Sequence, residues 1–343
     1  MNTKLALIIS PLPLKPVKSG MQNTIFLLYK YLIEKKYKVF FYQIKTNNII
    51  DPILNLKKDK NLINKISKKI NINKIDFIFI NTSKILFQYK SFLLNKNRCF
   101  KTILVCHDLY YFRKKYFDQI KAKDKTKIKL IDEINILKQV DYITDFSNQE
   151  LRFFRKYKIT KNKIVKTNTP TVKFKKVEIE KNKKYDMLYI SSNWHQNHLS
   201  LKNFFTKIEI KKKEFKILIL GDLSMKTKKN IKIRAYSIKM FNKCKIGVAI
   251  MKNSTGRQTK IFEMLSAGLP IFTNINLSKF GLKNNIHYKF FDKKKDLVKQ
   301  LNLFISNDYL RKKISRNAFK WSKKNTFYKK AFERLNNQIL IKN

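Results

Sequence analysis

The stretch Gly256-Arg257-Gln258-Thr259-Lys260-Ile261-Phe262-Glu263-Met264-Leu265-Ser266-Ala267-Gly268-Leu269-Pro270 places a glycine, an arginine and the start of a helical pattern side by side. A helix start offers free backbone N–H groups and the positive end of a dipole, and a guanidinium adds a two-pronged donor, so the arrangement suits a diphosphate. Lys260 and Glu263 stand three apart and share a helix face. Lys260 can reach phosphate as a point charge, and Glu263 can accept hydrogen bonds from both vicinal hydroxyls of a ribose. Gly268 ends the helix, and Leu269-Pro270 opens the next strand. The plainer alternative is a surface Lys–Glu pair on a helix that stops at a glycine.

On either side of this stretch, short apolar runs alternate with helical-length segments. In the first series the pattern predicts strands over Leu5–Ser10, Val39–Gln43, Phe77–Asn81, Thr102–Cys106, Tyr142–Phe146 and Lys163–Lys166. Helical patterns run from Gly20 to Glu34, from Ile128 to Gln139 and from Asn148 to Tyr157. The second series predicts strands over Asp186–Ser191, Phe215–Leu220, Ile246–Met251 and Pro270–Thr273, with helices over Leu199–Lys207, Thr259–Ala267, Asp296–Ile305 and Tyr309–Trp321. The strands are continuously apolar, which suits parallel sheets covered on both faces. Two such series predict an α/β protein of two Rossmann-like, doubly wound domains facing across a cleft. The expected division is 1–170, 171–320 and a C-terminal helix over 321–343 that packs back toward the first domain. The charged stretch Val172–Lys184 is the linker candidate.

The length of 343 residues suits two domains, and the 43% hydrophobic share is too high for a disordered chain. Against 23 acidic residues stand 77 basic ones, for a net charge of +54. Such a charge invites a nucleic-acid reading. Only 9 of the 77 are arginine, however, while Ile and Asn abound and Gly and Pro are scarce. That is the signature of AT-rich codon usage spread over solvated faces. The lysines run along most of the chain without a basic patch of interleaved aromatics, so no specific nucleic-acid partner is expected. Lys57–Lys69 and Lys121–Lys129 could still face an acidic membrane surface. Cys99, Cys106 and Cys244 are odd in number and show no paired spacing, which argues for a reducing compartment without disulfides or a zinc site. The apolar run Leu5–Ile9 is too short for a signal peptide, and no stretch approaches ~20 apolar residues. These readings predict a cytoplasmic protein, with the inner face of the plasma membrane as a peripheral seat.

Ligands of open α/β sheets bind at the carboxyl ends of the strands, which selects three further loops. Gly20 opens the first helix, where a glycine lets backbone approach phosphate closely; an ordinary turn glycine is the alternative. His107-Asp108 follows the strand ending at Cys106, and His107 could bond a sugar hydroxyl or move a proton, or else make a structural hydrogen bond. The loop Ser191-Ser192-Asn193-Trp194-His195-Gln196-Asn197-His198 is polar and aromatic, as a phosphate- or sugar-contacting loop would be. Its two histidines lack a companion carboxylate or thiol, so no metal is expected.

Taken in order, these segments resemble the retaining GT-B glycosyltransferases of the group-one family. "SPLPLKPVKSGMQNTIFLLYKYLIEKKYKVFFY" is similar to that family's first strand, glycine loop and first helix, and "TILVCHDLYY" to its strand ending in His-Asp. "VDYITDFSNQELRFFRKY" with "IVKTNTPTV" resembles the end of its N-terminal domain. "DMLYISSNWHQNHLSLKNFF", "FKILILGDL" and "IGVAIMKNSTGRQTKIFEMLSAGLPIFTN" resemble its nucleotide domain. The resemblance implies an enzyme that transfers a hexosyl group from a nucleotide-diphosphate sugar to a glycan or lipid-linked acceptor, with no cofactor. It places Glu263 on the donor ribose, Arg257, Lys260 and Gly20 near the diphosphate, and His107 against the donor sugar. Ser192, Asn193, His195, Asp108 and Gly256 complete the expected site. The sequence departs from the family at Thr255, where many members carry a second glutamate, and in the Ser191–His198 loop, which lacks the usual Arg and Lys. A sugar-nucleotide epimerase on the same fold and a nonspecific nucleic-acid binder are the rival expectations.

Overall fold

A computed structural model describes residues 3–15, 17, 20–44, 59–107, 109–112, 128–144, 147–172, 174–179, 183–191, 200–206, 215–221, 229–250, 258–291 and 296–341. Among them the chain forms two six-stranded sheets, each parallel throughout. The first contains β1 (Leu5–Ser10), β2 (Lys38–Gln43), β3 (Phe77–Asn81), β4 (Lys101–Val105), β5 (Tyr142–Thr144) and β6 (Ile164–Val165), in the order β2-β1-β3-β4-β5-β6. The second contains β7 (Tyr185–Ile190), β8 (Ile217–Leu220), β9 (Ile231–Arg234), β10 (Cys244–Ala249), β11 (Ile271–Thr273) and β12 (Lys289–Phe290), in the order β12-β11-β10-β7-β8-β9. Both orders reverse direction once, between β1 and β3 and between β7 and β10. A reversal of this kind opens a crevice beyond the strand ends, and that is where the ligands of such sheets sit.

Each sheet is apolar on both faces because its residues alternate between two cores. In the first sheet Leu7 and Ile9 join Ile78, Ile80, Leu104 and Ile143 on one side. Ala6 and Ile8 join Phe77, Phe79, Ile103 and Val105 on the other. Every one of these side chains is buried. Burying a side chain of this size contributes roughly 1.5–3 kcal/mol, so the central strands are the firmest part of each half. The edge strands β2 and β9 differ: β9 reads Ile-Lys-Ile-Arg, with charged residues toward water. That alternation is why the continuous-run criterion passed over β9, and β12 is only two residues long. The remaining predicted strands coincide with observed ones to within one or two residues at the described ends.

The helices that matter for the site are α1 (Gly20–Glu34), α2 (Leu130–Gln139), α3 (Asn148–Lys156), α4 (Thr259–Ser266), α5 (Leu297–Ser306) and α6 (Asp308–Asn325). In α4 the residues Ile261, Phe262, Met264 and Leu265 are buried. Its end is closed by paired bonds, Gly268 N–H to Leu265 O at 3.0 Å and Leu269 N–H to Met264 O at 2.9 Å. Gly268 has φ +70, a left-handed backbone that a side chain disfavours. Trp321 of α6 stacks on Phe262, with ring centroids 6.2 Å apart.

The chain then returns to the first sheet. Thr171, where it first leaves that half, pairs with the returning segment through Thr171 N–H to Thr326 O (2.7 Å) and Tyr328 N–H to Thr171 O (3.0 Å). The hydroxyl of Ser266, the last residue of α4, donates to Thr171 Oγ1 at 2.8 Å. Beyond this bridge Tyr328, Phe332, Leu335, Ile339 and Leu340 are buried in the first sheet's core with Ile25 and Leu28 of α1. The three cysteines are free thiols, Cys99 exposed and the other two buried. Among the described residues no helix is long and apolar enough to cross a membrane. Residues 57–58 and 121–127 of the lysine-rich segments lie outside the described residues.

Candidate functional site

The two crevices face each other, and α1 and α4 meet between them. Gly20 starts α1 just beyond the loop that follows β1, and Thr259 starts α4. A Cβ placed on Gly20 would lie 1.7 Å from Thr259 Oγ1 and 2.6 Å from Thr259 Cβ. The glycine is therefore required by a close approach between the two helix starts. The room it creates is filled by Thr259, a use that the sequence reading, which gave the space to a phosphate, did not include. The loop before α1 is tied down by Gln22, whose Nε2 donates to Pro13 O at 2.8 Å. Two positive helix ends thus converge at one place, and the positive ends of their dipoles favour an anion there.

One turn into α4, the Glu263 carboxylate is buried and accepts two side-chain hydrogen bonds. Oε1 accepts from Asn23 Nδ2 of α1 at 3.1 Å, and Oε2 from the Tyr236 hydroxyl, in the loop after β9, at 3.0 Å. Burial pushes its pKa up to about 7, against the lowering pull of those two bonds. The Tyr236 hydroxyl is raised in turn, by its own burial first and then by the Glu263 charge. Lys260 keeps part of its surface exposed while its ammonium is enclosed. Its Nζ donates to Ile190 O at the end of β7 (3.3 Å) and lies 5.3 Å from the Tyr189 ring centroid. Burial lowers its pKa to about 8. The helix thus holds an acid and a base with opposed shifts on one turn, a pattern that clusters at working sites.

His107 lies just past β4 and is 8% exposed. The backbone around it is held from two helices. Cys106 N–H donates to Thr144 O at 2.7 Å. Glu150 of α3 accepts Leu109 N–H at 3.0 Å. Glu133 of α2 accepts Tyr110 N–H and Tyr111 N–H, each at 2.8 Å, and the Ser83 hydroxyl at 2.5 Å. Glu133 is 1% exposed, and burial pushes its pKa up to about 7.

Of the residues expected at the site, Gly20, Lys260 and Glu263 come together around the start of α4, and His107 stands at the end of β4. Asp108, Ser192, Asn193, His195, Thr255, Gly256 and Arg257 lie outside the described residues. No group of three or more metal-ligating side chains occurs among the described residues. Sequence reasoning missed Asn23, Tyr236, Glu133 and Glu150. Glu150 carried a usable signal: Ser147-x-x-Glu150 is a capping-box spacing, and the structure forms that box. Asn23 and Tyr236 carried none, since each acts on a residue far away in the chain.

No protein-family model and no curated protein sequence matches this chain. Solved structures do. Sucrose-phosphate synthase from Thermosynechococcus elongatus superposes with a TM-score of 0.75 at 11% identity, covering 99% of this chain and 100% of that one. Anabaena HepE in complex with UDP-glucose gives 0.70 at 11% identity, over 98% and 99%. A glycosyltransferase from Rickettsia africae gives 0.58 at 16% identity, over 99% and 98%. The similarity runs through both sheets and nearly the whole length, so this protein has the GT-B fold, two parallel α/β halves, of the glycosyltransferases it is similar to.

Proposed function

We propose that the protein is a glycosyltransferase that moves a hexosyl group, with retention, from a nucleotide-diphosphate sugar to a glycan or lipid-linked acceptor in cell-surface polysaccharide assembly. The observation that carries this reading is the meeting of α1 and α4, where Gly20 contacts Thr259 and Asn23 bonds Glu263. It joins two anion-favouring helix ends to a carboxylate sized for a pair of vicinal hydroxyls, which is the outline of a nucleoside diphosphate. The diphosphate leaves against the helix ends, Lys260 and Arg257, and positioned charge of this kind lowers a barrier by roughly several kcal/mol. No metal or cofactor takes part. Ser192, Asn193, His195 and Gly256 serve the donor, His107 faces its sugar, and Asp108 completes the site. Thr255 supplies no carboxylate, so this segment serves the nucleotide more than the sugar. The first half receives the acceptor, at the acidic inner face of the plasma membrane in the cytoplasm.

A thermal-shift screen against UDP, GDP and their sugars tests this directly, because a ligand of the folded state raises its melting temperature by mass action. One nucleotide should stand out, and Glu263→Ala should abolish its shift. An unchanged shift in that variant overturns the reading.

A further inference from the structure

We propose that Glu150 and Glu133 are positioning residues that fix His107 for the transfer step by gripping the backbone before and after it. The proposal rests on the reading of His107 as the residue facing the donor sugar. Its central observation is one oxygen, Glu150 Oε1. It accepts the Cys106 thiol at 3.3 Å and Leu109 N–H at 3.0 Å. The same atom therefore holds the residue that precedes His107-Asp108 and the residue that follows them. Glu150 Oε2 is anchored in turn by Ser147 N–H at 2.5 Å, so the grip is referred to the start of α3. Glu133 extends it, taking the next two amides, of Tyr110 and Tyr111. Three consecutive N–H groups, 109 to 111, thus end on two carboxylates, each of them 1% exposed.

The described residues Tyr110, Tyr111 and Phe112 are helical, and an ordinary helix start needs no such arrangement. A single Ser, Asp or Asn satisfies it near the surface, whereas a buried carboxylate carries a desolvation cost. Two of them from successive helices converge on the one loop that carries His107, at the carboxyl end of a parallel strand. What the pair adds over a cap is fixed geometry: His107 is bracketed by bonds to two helices and, through Cys106 N–H and Thr144 O (2.7 Å), to the neighbouring strand β5. Misplacing a reacting group by about an ångström can cost roughly a hundredfold in rate.

The test uses the full-length protein and the variants Glu150→Gln and Glu133→Gln. The chain has four histidines, so histidine-selective NMR assigns His107 by comparison with His107→Gln, without any ligand. Either variant should shift the His107 imidazole signals and leave at least two of the other three in place. With the sugar nucleotide that the thermal-shift screen selects, kcat should fall about tenfold or more, while KM for that donor changes less than twofold. In a His107→Ala background the same substitutions should change kcat less than twofold, because the group they position is gone. Unmoved His107 signals, or an undiminished loss in that background, overturn the proposal. Should Glu150→Gln fail to fold, Cys106→Ala removes one side of the grip, and unmoved His107 signals there overturn it equally. A His107→Ala enzyme of normal kcat refutes the sugar-facing reading of His107, while the NMR comparison still judges the grip by itself.

Discussion

Glu133 and Glu263 look alike as isolated groups. Both are buried carboxyls near the carboxyl ends of parallel strands, and burial pushes both up to about 7. Their partners differ. Glu133 is bonded to two backbone amides and one hydroxyl, all from its own half and all fixed by the fold. Glu263 is bonded to two side chains, one of which, Asn23, belongs to the other half. Backbone donors cannot leave without unfolding a segment. An amide side chain can rotate away and yield its place to a ligand hydroxyl. A shifted pKa therefore flags both sites, and only the nature of the donors separates a carboxylate that builds structure from one that can exchange partners.

That contrast can be broken most sharply by stability. Glu133→Ala should destabilise the protein by about 3 kcal/mol or more, since it strands three buried donors at roughly 1–3 kcal/mol each. Chemical denaturation measures this, and a loss below about 1 kcal/mol would place Glu133 in the exchangeable class. Glu263→Ala should do the reverse: a stability change under about 1 kcal/mol, and nucleotide affinity weakened about a hundredfold, near 2.7 kcal/mol. Calorimetric titration of the selected nucleotide reads it.

Gly20→Ala asks whether the two helix starts must touch. Thr259 would have to retreat, and nucleotide affinity should fall about tenfold, or 1.4 kcal/mol. Thr259→Ala should not restore it, because the Thr259 Cβ would still sit 2.6 Å from the new methyl group. Thr259→Gly should. Equal rescue by both would show that the hydroxyl alone set the contact.

The smallest effect concerns pH. Both carboxyls bind their proton more tightly folded than unfolded, where the ordinary value is 4.5. Each therefore stabilises the ligand-free protein fully below about pH 4.5 and loses that contribution as pH rises through about 7. Ribose hydroxyls need the ionised Glu263 as acceptor, so nucleotide affinity should move the opposite way, rising up to about tenfold from pH 6 to 8. Glu133→Gln should flatten part of the stability profile and leave the affinity profile intact; loss of the affinity profile would merge the two classes.

Most of the architecture was legible in the sequence because a strand buried on both faces must be apolar at every position. Leu5–Ser10 and Phe77–Asn81 announce themselves in that way. Ile231–Arg234 does not, since an edge strand turns Lys232 and Arg234 to water. At the site, Lys260 and Glu263 were legible because three residues of helix bring them to one turn. The Asn23–Glu263 bond spans 240 positions, and no local pattern encodes such a meeting. Nor did the sequence distinguish the two uses of a glycine at position 20, phosphate approach and helix approach, since both ask only for a missing side chain.

The bridge between Thr171 and the Thr326–Tyr328 segment has a mechanical meaning. A chain that crossed between the halves once would be a swivel, free to twist. Two crossings tied side by side leave a single axis, like the pin of a door. Ser266 fastens the far end of α4 to that pin, while Glu263 lies about 4.5 Å along the helix from it and Thr259, at the other end, about 10 Å. The helix is thus a lever with its fulcrum at Thr171. A rotation about that one axis would open the Gly20–Thr259 and Asn23–Glu263 contacts together.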